Sequence, residues 1–226
     1  MRRIYFLFLL SFSSISMYAQ LDSTSVDPKY LEDQLYFATT YNAFSNTPTG
    51  FVQDGFAYGF SAGFIKDIPF NDRRNFGIGV GIGYSYNTYI QNIIAAENNL
   101  DVGYTTTTYD DTYTLKTNSV EFPIEIRWRT STLEKYKFWR VYTGVTFSYF
   151  FKTSAVGESD PNAVAITNAV DVEKFQYAVT TAVGYGTWNF YVNYALSPFF
   201  KANTTLTSGE PLDMSTFRLG LIFYIF

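Results

Sequence analysis

The run Val120 to Arg129, VEFPIEIRWR, sets Val120, Phe122, Ile124, Ile126 and Trp128 on one face of an extended chain. Glu121, Glu125, Arg127 and Arg129 fall on the other, because side chains alternate with a period of two. WRVYTGVTFSYF repeats the pattern, with Trp139, Val141, Val145, Phe147 and Tyr149 against Arg140, Gly144, Thr146 and Ser148. In TWNFYVNYAL, Trp188, Phe190, Val192 and Tyr194 oppose Asn189, Tyr191 and Asn193. A soluble sandwich also alternates, but its outward face carries more charge. Here one face stays apolar and aromatic along almost the whole strand. Such strands need an apolar medium outside and a polar or crowded space inside.

Eight segments of this kind recur, at about 33–44, 55–66, 75–90, 117–129, 138–151, 174–186, 187–200 and 214–226. Each has the length of a tilted membrane-crossing strand, about 9–11 residues or slightly more. Their connections alternate in length. Linkers 67–74, 130–137 and Gly186-Thr187 are short, whereas 45–54, 91–116, 152–173 and 201–213 are longer and polar. Short turns on one side and long loops on the other predict an eight-stranded antiparallel transmembrane β-barrel of outer-membrane type, all-β. An even strand number places both termini in the periplasm and the long loops outside.

Composition agrees. Aromatic residues make up 20% of the 226 and charged residues only 16%, against about a quarter charged in ordinary soluble domains. Mean hydropathy is nonetheless close to zero, so apolar and polar residues are finely mixed, as a barrel requires and a helical membrane protein does not. A net charge of -4 argues against nucleic acid as a partner. Neither cysteine nor histidine occurs. That removes disulfides, thiol nucleophiles, the commonest general base and the commonest metal ligand. No catalytic, cofactor-binding or metal site, no cofactor and no small-molecule substrate is expected.

Met1 to Gln20 reads MRRIYFLFLLSFSSISMYAQ. Arg2 and Arg3 precede an apolar run too short to span a bilayer, so the segment reads as a signal peptide cleaved between Ala19 and Gln20. Residues 1–19 are then the signal, 20–32 a periplasmic leader and 33–226 the barrel domain. The destination is the outer membrane of a Gram-negative bacterium, with outer-membrane lipid as the first partner.

Asn75 to Tyr86, NFGIGVGIGYSY, places Gly77, Gly79, Gly81 and Gly83 at alternate positions. The spacing is not that of a phosphate-binding G-x-G-x-x-G turn. In an eight-stranded barrel the interior is just wide enough for side chains to fill. The glycines are expected to face inward, making room for bulky or charged groups, while Phe76, Ile78, Val80 and Ile82 face lipid. Glu121, Glu125, Arg127, Arg129 and Arg140, joined by Arg218, form the expected lumen charge network. Paired carboxylates can do acid–base work; here mutual neutralisation of charges in a narrow lumen is the better reading. Pro123 removes one ladder donor and marks a bulge or a local break in pairing. The acidic loop Asp101 to Asp111 lacks the spacing of a calcium loop and reads as solvated surface. Trp128, Trp139 and Trp188 lie beside short turns and are expected to form a periplasmic aromatic girdle. Tyr84, Tyr86, Tyr149 and Phe199 are expected to mark the opposite edge.

EFPIEIRWRTSTLEKYKFWRVYTG, Glu121 to Gly144, resembles the signature hairpin of the PorT family. GFIKDIPFNDRRNFGIGVGIGYSYNTY, Gly63 to Tyr89, is similar to that family's second and third strands, and TWNFYVNY and the ending LGLIFYIF also resemble it. The likeness covers most of the mature chain. It implies an outer-membrane component of the type IX secretion system, which exports proteins with a C-terminal sorting domain, and hence partners among that system's outer-membrane or periplasmic proteins. A filled eight-stranded lumen cannot pass a folded protein, so the implied role is accessory, by protein contacts. The competing readings are a general structural or adhesive barrel, a small-solute channel and a barrel enzyme.

Overall fold

Alternation dictates the ladder. The computed structural model describes residues 34–98, 101–106, 113–130, 138–157, 166–167 and 171–225; the expected signal and leader segments, 1–19 and 20–32, lie outside them. In chain order the strands are β1 (Gln34–Ser45), β2 (Tyr58–Pro69), β3 (Phe76–Gln91), β4 (Ile93–Asn98), β5 (Asp101–Thr106), β6 (Tyr113–Arg129), β7 (Trp139–Gly157), β8 (Ile166–Thr167), β9 (Phe175–Tyr185), β10 (Trp188–Ala195) and β11 (Ser215–Ile225). Eight of them pair antiparallel in the order β6-β3-β2-β1-β11-β10-β9-β7, and β6 pairs with β7 to close the barrel. Closure leaves none of these eight strands as a free edge, as a strand wall in lipid requires. No helix occurs among the described residues.

The two faces separate cleanly. Phe122, Ile124, Ile126 and Trp128 on β6, and Phe60, Phe64 and Ile68 on β2, are exposed, while Glu121, Glu125, Arg127 and Asp67 between them are buried. β1 from Gln34 to Asn42 alternates buried and exposed without a break. An exposed apolar belt around a charged interior inverts the soluble arrangement.

Several boundaries differ from the sequence reading. β6 begins at Tyr113 and β7 runs to Gly157, because Leu115 and Thr117 continue to pair with Ala155 and Thr153 beyond the aromatic belt. β10 stops at Ala195, just before Ser197-Pro198; proline has no N–H to give the ladder. The 91–116 connection is not a plain loop but holds the β4–β5 hairpin. Of the two readings of Pro123, the local break in pairing holds and the bulge does not. The β3–β6 ladder lapses beside it, between the Val80–Ile124 and Gly83–Glu121 pairs, without changing register. The one register shift between β6 and β7 lies at Asn118/Ser119.

Among the described residues, the long connections after β1 and β10 leave one end of the barrel, and the short turns after β2 and β9 leave the other. Residues 70–75 and the Gly186-Thr187 turn, with Gly186 at φ 59, close the short end.

Candidate functional site

The buried residues gather in two places: the barrel's interior and the cap its loops build. Inside, β3 supplies the room. A Cβ at Gly79 would collide with the Arg127 guanidinium, and one at Gly83 with the Tyr36 hydroxyl. Gly77 and Gly81 would instead crowd the backbone of β2. The bare face of β3 is therefore the space that Arg127 and Tyr36 occupy.

The charged residues sort into two groups. Toward the long-loop end, Arg218 Nη1 donates to Glu121 Oε1 (2.9 Å) and to Ser85 Oγ (3.2 Å), and its Nε donates to Asn193 Oδ1 (3.1 Å). Toward the short-turn end, Arg127 Nε donates to Glu125 Oε2 (3.1 Å), and Nη1 lies 3.7 Å from Asp67. Arg129 donates from Nη1 to Asp67 and from Nε to the Arg74 carbonyl. The Arg127 guanidinium lies over the Tyr142 ring at 4.3 Å and near Tyr224 at 5.6 Å. Arg140 sits 4.5 Å from the Phe138 ring centre and 5.6 Å from that of Tyr224. All six residues expected in the lumen are buried. Strand register, which alternation leaves open, decides the partners: Arg127 pairs with Glu125 and Asp67, while Glu121 belongs to Arg218. Asp67 is the member that reading missed, having been placed in a linker; β2 in fact continues to Pro69 and carries it inward.

Between and around these groups the lumen is filled. Tyr36, Ala38, Ile65, Tyr142, Ala182, Tyr191, Ile222 and Tyr224 pack as one buried cluster. Asn42, Asn87, Thr40 and Ser85 hydrogen-bond to one another above it.

The loops form a second core. Tyr89, Tyr104, Leu115, Phe199, Phe200, Leu206, Leu212 and Met214 bury together, with Phe44 and Phe51 packed against them. Glu210 accepts from Thr49 N (2.9 Å), Asn92 accepts from Val52 N (2.8 Å), and Phe199 N donates to Met214 O (2.6 Å), so separate loops are tied to each other. The Tyr104 hydroxyl donates to Asp171 (2.9 Å); burial, reinforced by this carboxylate, pushes the phenol above its ordinary range. The 101–111 segment thus contributes a core tyrosine rather than only solvated surface, while Asp110 and Asp111 lie outside the described residues. Phe199 likewise corrects the expected outer edge: it is fully buried in the cap, because β10 has ended before it. Tyr84 and Tyr149 do face outward, and Trp128, Trp139 and Trp188 are all exposed at the short-turn end. Among the described residues no group of three or more acidic side chains could hold a metal ion.

A family model described as an outer membrane protein beta-barrel domain matches residues 18–201. No curated protein matches the chain.

Proposed function

The chain belongs to the family of outer membrane protein beta-barrel domains, and from that premise we propose that it is an accessory or assembly component of the type IX secretion system, resembling PorT, that works by binding other proteins rather than by passing cargo. The observation that carries the contact role is the filled lumen. Paired charges, four inward tyrosines and a loop core occupy the path a solute or polypeptide would take. An eight-stranded barrel has no spare width around such contents. The secretion assignment is supported by the likeness of Glu121 to Gly144 and of Gly63 to Tyr89 to PorT. In the structure these are the β6–β7 and β2–β3 hairpins, neighbours in one wall. The short turns face the periplasm and the loop cap the cell exterior in this reading. Among the described residues the lumen carboxylates Asp67, Glu121 and Glu125 are each held by an arginine, which favours a structural over an acid–base role for them.

A strain lacking the gene tests the reading. Cargo bearing the C-terminal sorting domain should fail to reach the surface and accumulate in the periplasm, and the wild-type gene should restore export. Normal cargo export with an altered envelope would instead favour a general structural or adhesive barrel.

A further inference from the structure

The outward wall carries a bare spot beside a cationic rim. Ala62 faces out from β2 opposite Phe37 of β1 and Tyr84 of β3, with Phe60 and Phe64 two residues away on its own strand. Four exposed rings thus surround one methyl group. Phe37, Phe60 and Tyr84, together with Thr39, Ser61, Tyr86 and Phe223, border a groove of about 340 Å³. Facing lipid, such a groove is filled by hydrocarbon.

On the same wall, toward the loop end, the outward residues turn from aromatic to basic. On β6 the outward series Phe122 and Val120 continues as Asn118 and Lys116. On β7 the register shift leaves Phe151 unpaired, between the Ser119–Phe150 and Asn118–Lys152 pairs. Phe151 and Lys152 are consecutive and both exposed, and the alternation resumes with Thr153 buried. Without the extra residue Lys152 would point into the lumen; bulges re-aim side chains in this way. Lys152 therefore lies diagonal to Lys116, about 7–8 Å apart for such a pair. The Tyr84 hydroxyl donates to Asn118 (2.6 Å) directly below, and the Phe151 ring lies 6.3 Å from that of Tyr84. Neither lysine meets an acidic group among the described residues.

We propose that this wall is a binding site for one phosphorylated, multi-acylated glycolipid of the outer leaflet. Lys116 and Lys152 hold its phosphate and the groove at Ala62 holds an acyl chain. The separation fits: Lys116 pairs with Thr88 and Ala62 with Tyr84, four residues and two strand spacings apart, or about 13 Å along the strands and about 10 Å across. One leaflet of hydrocarbon is about 15 Å deep. Two unpaired cations complement a phosphate, and tyrosines at the junction suit the headgroup level. The inference rests on the loop end facing outward, but not on the secretion role.

The test is native mass spectrometry of the full chain in detergent with added diphosphoryl lipid A, its dephosphorylated form, phosphatidylglycerol or inorganic phosphate. The wild type should retain one diphosphoryl lipid A in preference to the other three. Lys116→Gln with Lys152→Gln should weaken retention about thirtyfold, as two lysines near an anionic surface imply. Ala62→Phe, which fills the groove from the lipid side, should weaken it while leaving the rim intact. All variants should keep the heat-modifiable gel shift of a folded barrel. Equal retention by the lysine variant, or preference for phosphatidylglycerol, for inorganic phosphate or for the dephosphorylated lipid, would overturn the proposal. Cargo export in the deletion strain bears on the secretion reading alone.

Discussion

Replacing Arg218 with glutamine strands a buried carboxylate. Among the described residues Arg218 is the only cation within ion-pair distance of Glu121, at 2.9 Å, and both side chains are nearly inaccessible, at 7% and 4% exposure. Breaking such a pair from one side costs about 3–5 kcal/mol, because the remaining charge keeps its desolvation penalty without its partner. Arg218 also donates to Asn193 and Ser85, and a shorter amide cannot reach all three acceptors, so the upper half of that range is expected. Glu121→Gln in the Arg218→Gln background removes the stranded charge and should recover about 1–3 kcal/mol, a coupling typical of residues in contact. The assay is urea unfolding of the protein in lipid vesicles, followed by tryptophan fluorescence. Lys174→Gln, on an exposed loop, is the control and should stay within about 0.5 kcal/mol of wild type. A loss below about 1 kcal/mol for Arg218→Gln, with no recovery in the double variant, would refute the buried pair and with it the lumen assignment of β11 and β6.

Other consequences follow from the same architecture. An epitope inserted at Ser208, in the exposed turn of the last long loop, should bind antibody on intact cells, whereas one at Asp72 should not; labelling at Asp72 alone would invert the orientation. Gly83→Val should destabilise by about 1–3 kcal/mol or more through overlap with Tyr36, and Tyr36→Phe in that background should relieve part of it; a neutral Gly83→Val would mean that the hydroxyl is elsewhere. Lipids carrying quenchers should quench Trp128, Trp139 and Trp188 most strongly near the headgroups, and a maximum at the bilayer centre would remove the girdle.

The wall was legible in the sequence because two different media act on it. Lipid demands the rings of Phe122, Ile124 and Trp128; a narrow interior demands Glu121, Glu125 and Arg127, and period two records both. Asp67 was not legible, since DIPFNDRR combines proline, asparagine and clustered charges, the composition of a turn, although β2 runs to Pro69. Ion-pair partners were not legible either. Beyond the Glu125–Arg127 pair within β6, they depend on how β6 faces β11 and β2 across the barrel, which alternation within one strand does not encode. The loop cap left only a scattered signal: Phe51, Tyr104, Phe199, Leu206 and Leu212 sit in polar segments with no period to join them. Nor did anything in YFFKTS announce the extra residue that turns Lys152 outward, because a bulge interrupts the period that would reveal it.

Conductance tests the central claim most directly. Purified full-length protein inserted into a planar bilayer should give no steady single-channel current of porin size, since tyrosines, paired charges and the loop core occupy the lumen. Large, stable conductance steps, persisting after the loops are clamped by a disulfide engineered between Thr49→Cys and Glu210→Cys, would show an open pore and contradict the account.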